Sequence, residues 1–233
     1  MKKLLLTAVC AFGIITASAQ RASSSSYSFF STEKADRGVT FGIRAGLNFA
    51  SLTGGDTDGA PDSRTAYHVG VIADIPLMQS LYIQTGLYFQ SKGMKYEESY
   101  DDGDSYKTTL SPMYLQIPIL ASYRYNFSDA FQLQVNFGPY FAYGVGGKYK
   151  DEYSYGSGSY DDEIYESDVF DGGLKRFDCG LQVGAGMTFA RHYYLGFTYE
   201  FGLTNIADDL DLDIEEGSSV KNSNWMLSIG YTF

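Results

Sequence analysis

Large apolar residues recur at every second position in eight separate segments of this chain. They are VTFGIRAGLNF (Val39–Phe49), AYHVGVIADIPL (Ala66–Leu77), LYIQTGLYFQ (Leu81–Gln90) and MYLQIPILASYRYNF (Met113–Phe127). FQLQVNFGPYFAYGV (Phe131–Val145), RFDCGLQVGAGMTF (Arg176–Phe189), YYLGFTYEFGL (Tyr193–Leu203) and the terminal NWMLSIGYTF (Asn224–Phe233) complete the set. A period of two over such lengths predicts strands, because successive side chains on a strand point to opposite faces. Three connections are tight, at Met78–Ser80, Ser128–Ala130 and Ala190–His192. Four are long and polar, around 50–65, 91–112, 146–175 and 204–223. Alternating short and long connections predict an up-and-down meander, and eight strands are enough for it to close. The predicted fold is all-β: an eight-stranded antiparallel up-and-down transmembrane β-barrel.

The membrane enters through volume. One face of these segments carries Phe41, Ile43, Leu47, Val71, Leu87, Ile117, Leu133, Phe137, Leu195 and Ile229 among many like them. The other carries Gly42, Gly46, Gly70, Gly86, Gly138, Gly184 and Gly196 with Gln84, Gln116, Gln134, Asn136 and Gln182. An eight-stranded barrel has an interior only just wide enough for side chains. Several dozen large apolar groups cannot fit inside it, so the bulky face points outward and needs lipid around it.

Isolated charges lie on the small face: Arg44, Asp74, Arg124, Asp178 and Glu200, with His68 nearer a rim. Facing lipid, a midplane Arg costs about 2–4 kcal/mol. Inside a filled lumen the same groups can pair, which predicts an interior salt-bridge network of Arg44 and Arg124 against Asp74, Asp178 and Glu200. Catalytic carboxylates or a proton path could use such residues too, but buried polar groups that satisfy one another account for them. Pro118 lies inside a strand with neighbours on both sides, where it removes a ladder donor, and predicts a local bulge or bend.

The chain starts with Lys2 and Lys3, an apolar run from Leu4 to Ile15, and Ala17-Ser18-Ala19. That is the pattern of a secretory signal peptide over residues 1–19, and the run is too short for a spanning helix. Residues 20–38 read as a Ser-rich flexible segment and 39–233 as the barrel domain. The formal charge of −11 becomes more negative once the two lysines leave. Such an acidic secreted chain repels phosphate and is not expected to bind nucleic acid. Cys179 alone would remain, so no intramolecular disulfide is available.

Three stretches then resemble one family. Tyr114-Leu115-Gln116-Ile117-Pro118-Ile119-Leu120 is similar to the Y-L-x-I-P-x-L strand of the PorT-like outer-membrane barrels of Bacteroidetes-type bacteria. Phe177 to Gly186 is similar to their F-D-x-G-L-x-x-G-x-G strand, and Tyr199 to Ile206 to their Y-x-x-G-L-x-N-I segment. The resemblance runs from about Val39 to Phe233. It implies a small barrel in the bacterial outer membrane, with both termini periplasmic and the long loops extracellular. Trp225, Tyr231 and the final Phe233 resemble the signal by which the barrel-assembly machinery recognises such proteins. A monomer in contact with membrane lipid and surface glycolipid is expected.

Acidic residues are concentrated in the long connections. Asp209-x-Asp211-x-Asp213 hints at calcium, but Ile214 stands where the EF-hand turn requires glycine. The third connection places Tyr149, Tyr153, Tyr155, Tyr160 and Tyr165 among Ser and Gly, a mixture suited to recognition. These five tyrosines form the candidate binding loop, for an extracellular protein or glycan. Only His68 and His192 are available as catalytic bases, and neither has a nucleophile pattern beside it, so the chain is expected to be no enzyme and to need no cofactor or metal. The expected role is structural or surface-binding, an adhesion role included; the alternative is a narrow passive porin-like channel.

Overall fold

A computed structural model of the chain describes residues 38–54, 63–99, 105–128, 130–154, 163–171, 173–207 and 219–233. The predicted signal peptide, most of the flexible segment, Tyr155, Tyr160 and the Asp209–Asp213 run lie outside the described residues. The strands are β1 (Thr40–Thr53), β2 (Arg64–Pro76), β3 (Leu81–Ser91), β4 (Met94–Ser99), β5 (Ser105–Asn126), β6 (Phe131–Ser154), β7 (Glu163–Asp168), β8 (Phe177–Phe189), β9 (Tyr193–Gly202) and β10 (Lys221–Thr232). Every pairing is antiparallel. Strands β1, β2, β3, β5, β6, β8, β9 and β10 form a closed ring, sealed by β1 against β10 and by β5 against β6. The terminal ladder is the closing strand: Trp225 lies opposite Phe49 and Tyr231 opposite Ile43. The Phe233 amide donates to the carbonyl of Phe41 at 2.9 Å.

The outer surface has the layout of a lipid belt. Val69, Val71, Ile117, Ile119, Leu133, Val135, Leu195, Leu227 and Ile229 are exposed. Phe49, Tyr143, Phe177 and Trp225 stand at the long-connection end, and Phe131, Phe189, Tyr193, Tyr231 and Phe233 at the tight-turn end. Neighbouring rings interlock, Tyr199 with Trp225 at 4.2 Å and Phe131 with Phe189 at 4.9 Å. From Phe41 to Phe49, at about 3.4 Å per residue and a tilt of about 40°, the height is about 21 Å, close to the apolar band of such barrels. Among the described residues, no helix is long and apolar enough to cross a membrane.

Two long connections contain structure where loops were expected. β5 runs for 22 residues and β6 for 24, about twice what a crossing needs. Their extensions pair with β4 and β7, so β4, β5, β6 and β7 make a four-stranded blade standing beyond the belt. Beyond Met94 and Leu110 beside the mouth, the described side chains of the blade are mostly polar or aromatic, so a search for an apolar face passes over it. The alternation is present all the same, in KYKDEYS (Lys148–Ser154).

The bulge expected near Pro118 lies elsewhere. Pairing of β5 with β6 keeps one register on either side of Pro118 and shifts between Met113 and Tyr114, leaving Val145 unmatched. The Pro118 carbonyl accepts from Thr85 Oγ1 at 2.8 Å. In the three-residue turn after β8, Ala190 and Arg191 take positive φ (47° and 66°), and the His192 amide donates to the Phe189 carbonyl at 3.0 Å.

Candidate functional site

Inward side chains fill the lumen in three tiers. At the tight-turn end, Asp74 pairs with Arg124 at 2.7 Å and accepts from Gln84 Nε2 at 2.7 Å. Gln84 in turn accepts from Arg44 at 2.9 Å, so Arg44 reaches the carboxylate through an amide and not directly. The two guanidiniums lie over aromatic rings, Arg44 on Tyr194 at 3.7 Å and Arg124 on Tyr82 at 4.3 Å. In the middle tier, His68 sits between Asn48 (2.6 Å) and Ser228 (2.9 Å). It is fully buried, and the expected rim position is corrected.

The third tier is organised by a residue that pattern reading placed in a loop. Lys92, at the break between β3 and β4, turns inward and is wholly buried. Its ammonium lies 3.3 Å from Asp178 and 3.2 Å from Glu200, with the Tyr140 ring centroid at 4.1 Å. Asp178 also accepts from Tyr140 (3.2 Å) and Asn222 (2.9 Å). Glu200 accepts from Gln116 (2.5 Å), Asn224 (3.1 Å) and Gln182. Asp178 and Glu200 therefore take Lys92 as their cation, while Arg124 takes Asp74. With Lys92 included, buried positive and negative groups balance, as low dielectric requires. The parity of Gln84, Tyr88 and Gln90 carries on to Lys92 and is the signal that could have identified it.

Glycines make room for this filling. A Cβ on Gly70 would stand 2.6 Å from the Tyr88 ring, and one on Gly186 2.5 Å from that of Tyr194. The inner face thus holds large aromatic groups as well as small and polar ones, seated where a neighbouring strand has no side chain.

Above the third tier the mouth is covered. Val169, Phe170 and Leu174 from the β7–β8 connection, with Ile206 and Val220 from the β9–β10 connection, pack onto Leu52, Leu110, Tyr114, Tyr140 and Ala142. The Phe170 ring meets Tyr114 edge-on at 6.0 Å and occupies the place of a side chain at Gly144, where a Cβ would lie 2.1 Å from it. Asn205 clasps the cover by accepting from the amides of Val220 (2.9 Å) and Ala207 (3.3 Å), and Thr204 Oγ1 accepts from the Cys179 amide at 3.0 Å. The L-x-N-I stretch Leu203–Ile206 therefore supplies both the clasp and a fully buried apolar plug.

Beyond this cover, the blade separates its chemistry by face. Register places Glu98, Tyr106 and Tyr153 in one row, Tyr96, Thr108, Asp151 and Tyr165 in the next, and Met94, Leu110 and Tyr149 in the row beside the mouth. Lys95, Glu97, Lys107, Lys148, Lys150 and Glu152 occupy the opposite face. There Lys107 reaches Glu152 at 2.6 Å, Lys150 also contacts it, and these bonds lower its carboxyl to about 2. On the aromatic face, Asp151 Oδ1 accepts from Thr108 at 2.7 Å and Tyr106 at 3.3 Å. Burial, aided by Asp151, pushes the Tyr149 phenol up. The rings of Tyr106 and Tyr153 lie tilted against each other at 4.7 Å, and Tyr165 meets Tyr153 edge-on at 6.3 Å. Of the five tyrosines expected to bind, Tyr149, Tyr153 and Tyr165 thus share a face. It also holds Tyr96 and Tyr106, which sequence reading did not single out. Among the described residues, no group of three or more His, Cys, Asp or Glu side chains is placed to hold a metal.

Among solved structures, 84% of this chain aligns with all of Ail, the attachment invasion locus protein of Yersinia pestis, in complex with the heparin analogue sucrose octasulfate, at 16% identity and a TM-score of 0.38. Neisserial surface protein A aligns over 84% of this chain and all of its own, at 11% identity and a TM-score of 0.41. OprG of Pseudomonas aeruginosa aligns over 86% of this chain and 97% of its own, at 15% identity and a TM-score of 0.40. No curated protein matches the chain. The family described as the outer membrane protein beta-barrel domain matches residues 18–208, most of the ring just described, and the chain belongs to that family.

Proposed function

We propose that this protein is a sealed outer-membrane barrel that works as a surface-binding or adhesion protein, through the blade formed by β4, β5, β6 and β7. In this reading residues 1–19 are a cleaved signal peptide, both termini are periplasmic and the blade is extracellular. The barrel is a monomer inserted by the barrel-assembly machinery, and within its family it stands with the PorT-like members. The observation that carries the reading is the continuation of β5 and β6 past the lipid belt. Gly144 to Ser154 at about 3.4 Å per residue adds about 35 Å of strand, which the crossing itself does not need. That extension ends in an aromatic face, while the lumen beneath it is occupied by paired charges and closed by Phe170 and Ile206. A passive channel needs a continuous path, and the filled lumen counts against it. The role is binding, with no chemical step assigned to the lumen carboxylates.

The test replaces residues 96–108 and 150–166 with two-residue Asn-Gly turns, which suit a hairpin. Cells displaying the wild-type protein should adhere to host-type protein or glycan layers several-fold better than cells displaying the shortened barrel. Protease accessibility of the blade on intact cells fixes its side of the membrane. Equal adherence with the blade accessible, or a blade shielded from protease, would overturn the reading. Silent planar bilayers are expected, and reproducible conductance steps would establish the channel instead.

A further inference from the structure

We propose that the aromatic face of the blade is a docking surface for a cationic polypeptide, read through its Arg and Lys side chains. The inference rests on the binding role above and specifies its partner. Among the described residues that face carries Tyr96, Tyr106, Tyr149, Tyr153 and Tyr165 with the carboxylates of Asp151 and Glu98, and no Lys or Arg. The blade's lysines are all on the other face, where Glu97 and Glu152 already meet Lys95, Lys107 and Lys150. One face thus carries charges of both signs, and among its described residues the other carries only acidic ones, framed by rings.

Charge and ring chemistry agree on the occupant. An ammonium or guanidinium group gains from the face of a Tyr ring and from a nearby carboxylate together. Arg adds planar stacking and a forked donor set that matches a carboxylate. Both hydrogen bonds from Thr108 and Tyr106 land on the same oxygen of Asp151, Oδ1, and fix its orientation. Tyr165, 59% exposed and paired in register with Asp151, puts a ring beside it. Two strands across and one row along, about 12 Å away, Glu98 offers a second carboxylate, and it accepts from Tyr96 at 3.2 Å. Two carboxylates that far apart with rings between them suit several cations carried on one flexible chain. An anionic glycan is repelled. The segments that join the blade strands along the sequence have the same sign: residues 100–104 and 155–162 contain no Lys or Arg.

The experiment uses the full barrel in lipid nanodiscs and three labelled nonapeptides alternating Ser with Arg, with Gln or with Glu. The Arg peptide should bind at least tenfold more tightly than the Gln peptide, and the Glu peptide should not bind. Asp151→Asn and Tyr165→Ala should each weaken the Arg peptide about five- to tenfold, while Lys107→Gln on the opposite face leaves it unchanged. Equal binding of the Arg peptide to wild type and to both variants would mean diffuse attraction to acidic connections, and would overturn the proposal. So would preference for a neutral oligosaccharide such as cellopentaose over the Arg peptide. Should the Arg peptide fail while blade removal still abolishes adherence, the binding role stands and the partner chemistry falls. Should adherence also be unaffected, both fall.

Discussion

Replacing Lys92 with Met tests whether the lumen is held by the third tier. The change removes the cation from a site where the side chains of Lys92, Asp178 and Glu200 are at most 1% exposed. Breaking a buried ion pair by deleting one partner costs about 3–5 kcal/mol, because the remaining charge cannot be resolvated. Two carboxylates lose their cation here, which argues for the upper end. Both retain donors, however: Tyr140 and Asn222 on Asp178, and Gln116, Gln182 and Asn224 on Glu200. The loss of the ammonium from the Tyr140 ring adds about 1 kcal/mol. A net cost of about 4 kcal/mol corresponds to a fall in unfolding temperature of about 8–16 °C for a domain of this size. Heat-modifiable migration on mild-detergent gels reads this directly, since the folded and unfolded barrels run apart. The triple variant Lys92→Met, Asp178→Asn, Glu200→Gln should recover most of the loss, because neutral amides tolerate burial with the same neighbours. An unchanged midpoint for Lys92→Met would refute the tier as a charge-paired unit. A triple variant no better than the single one would assign Lys92 to packing alone.

Other perturbations separate the remaining parts. Phe170→Ala, which empties the place facing Gly144, should cost about 3–5 kcal/mol in urea unfolding and raise proteolysis of the β7–β8 connection; wild-type stability would mean the cover is loose. Deleting Phe233 should reduce the folded membrane yield more than thermal stability, since its amide and ring add little beside the closed β1–β10 ladder; normal yield would refute its role in assembly. Glu152 is depressed in the folded state, so its contribution is present above its unfolded pKa and is lost as pH falls through about 2. Amide protection factors in the β5–β6 extension, taken relative to intrinsic exchange at each pH, should accordingly fall between about pH 4.5 and pH 2 in wild type and not in Glu152→Gln. Deleting Val145 removes the unmatched residue and should leave Gly144 opposite Tyr114 and Gly146 opposite Met113, so Tyr149, Asp151 and Tyr153 keep their face and the blade keeps its protease resistance; a blade that becomes protease-sensitive would refute Val145 as a simple inserted residue.

The ring was legible in the sequence for one physical reason: lipid outside and a packed lumen inside make opposite demands on successive residues. Phe41, Ile43, Leu47 and Phe49 against Gly42, Arg44, Gly46 and Asn48 could hardly be anything else. The charges of the small face were legible by the same rule, but their partners were not. Arg44 works through Gln84, and Lys92 escaped because the apolar half of the alternation stops at Phe89, three residues before the inward half stops. The blade was missed because water lies on both sides of it, so no face had to be apolar. Tyr and Asp alternating with Lys is a strand pattern only when the search is for two chemistries and not for hydrophobicity. The cover was beyond reach for a different reason. Val169, Phe170, Leu174, Ile206 and Val220 come from connections without period, and only closure of the ring brings them over one mouth.

Val145 links these elements. Below it, the even residues of β6 face inward, from Gln134 through Asn136, Tyr140 and Ala142 to Gly144. Above it, the inward residues are Tyr149, Asp151 and Tyr153, all odd, while β5 keeps even residues inward throughout: Tyr106, Thr108, Leu110, Tyr114 and Gln116. One extra residue therefore exchanges the faces of β6 where the strand leaves the belt. Were β6 to alternate regularly through Val145 instead of bulging there, Lys148, Lys150 and Glu152 would crown the lumen and the tyrosines would continue the line of Tyr143 on the outside. With the bulge, the aromatic face continues the wall of the lumen, and Tyr149 packs against the apolar cover. The barrel, its closure and the blade are consequently one inward surface that changes chemistry with height, from paired charge to apolar plug to rings framing carboxylates. A surface that passes from a charge-paired lumen to an aromatic face bearing Asp151 and Glu98 carries its accessible chemistry on the blade, which is why the proposed binding role is placed there and not in the barrel interior.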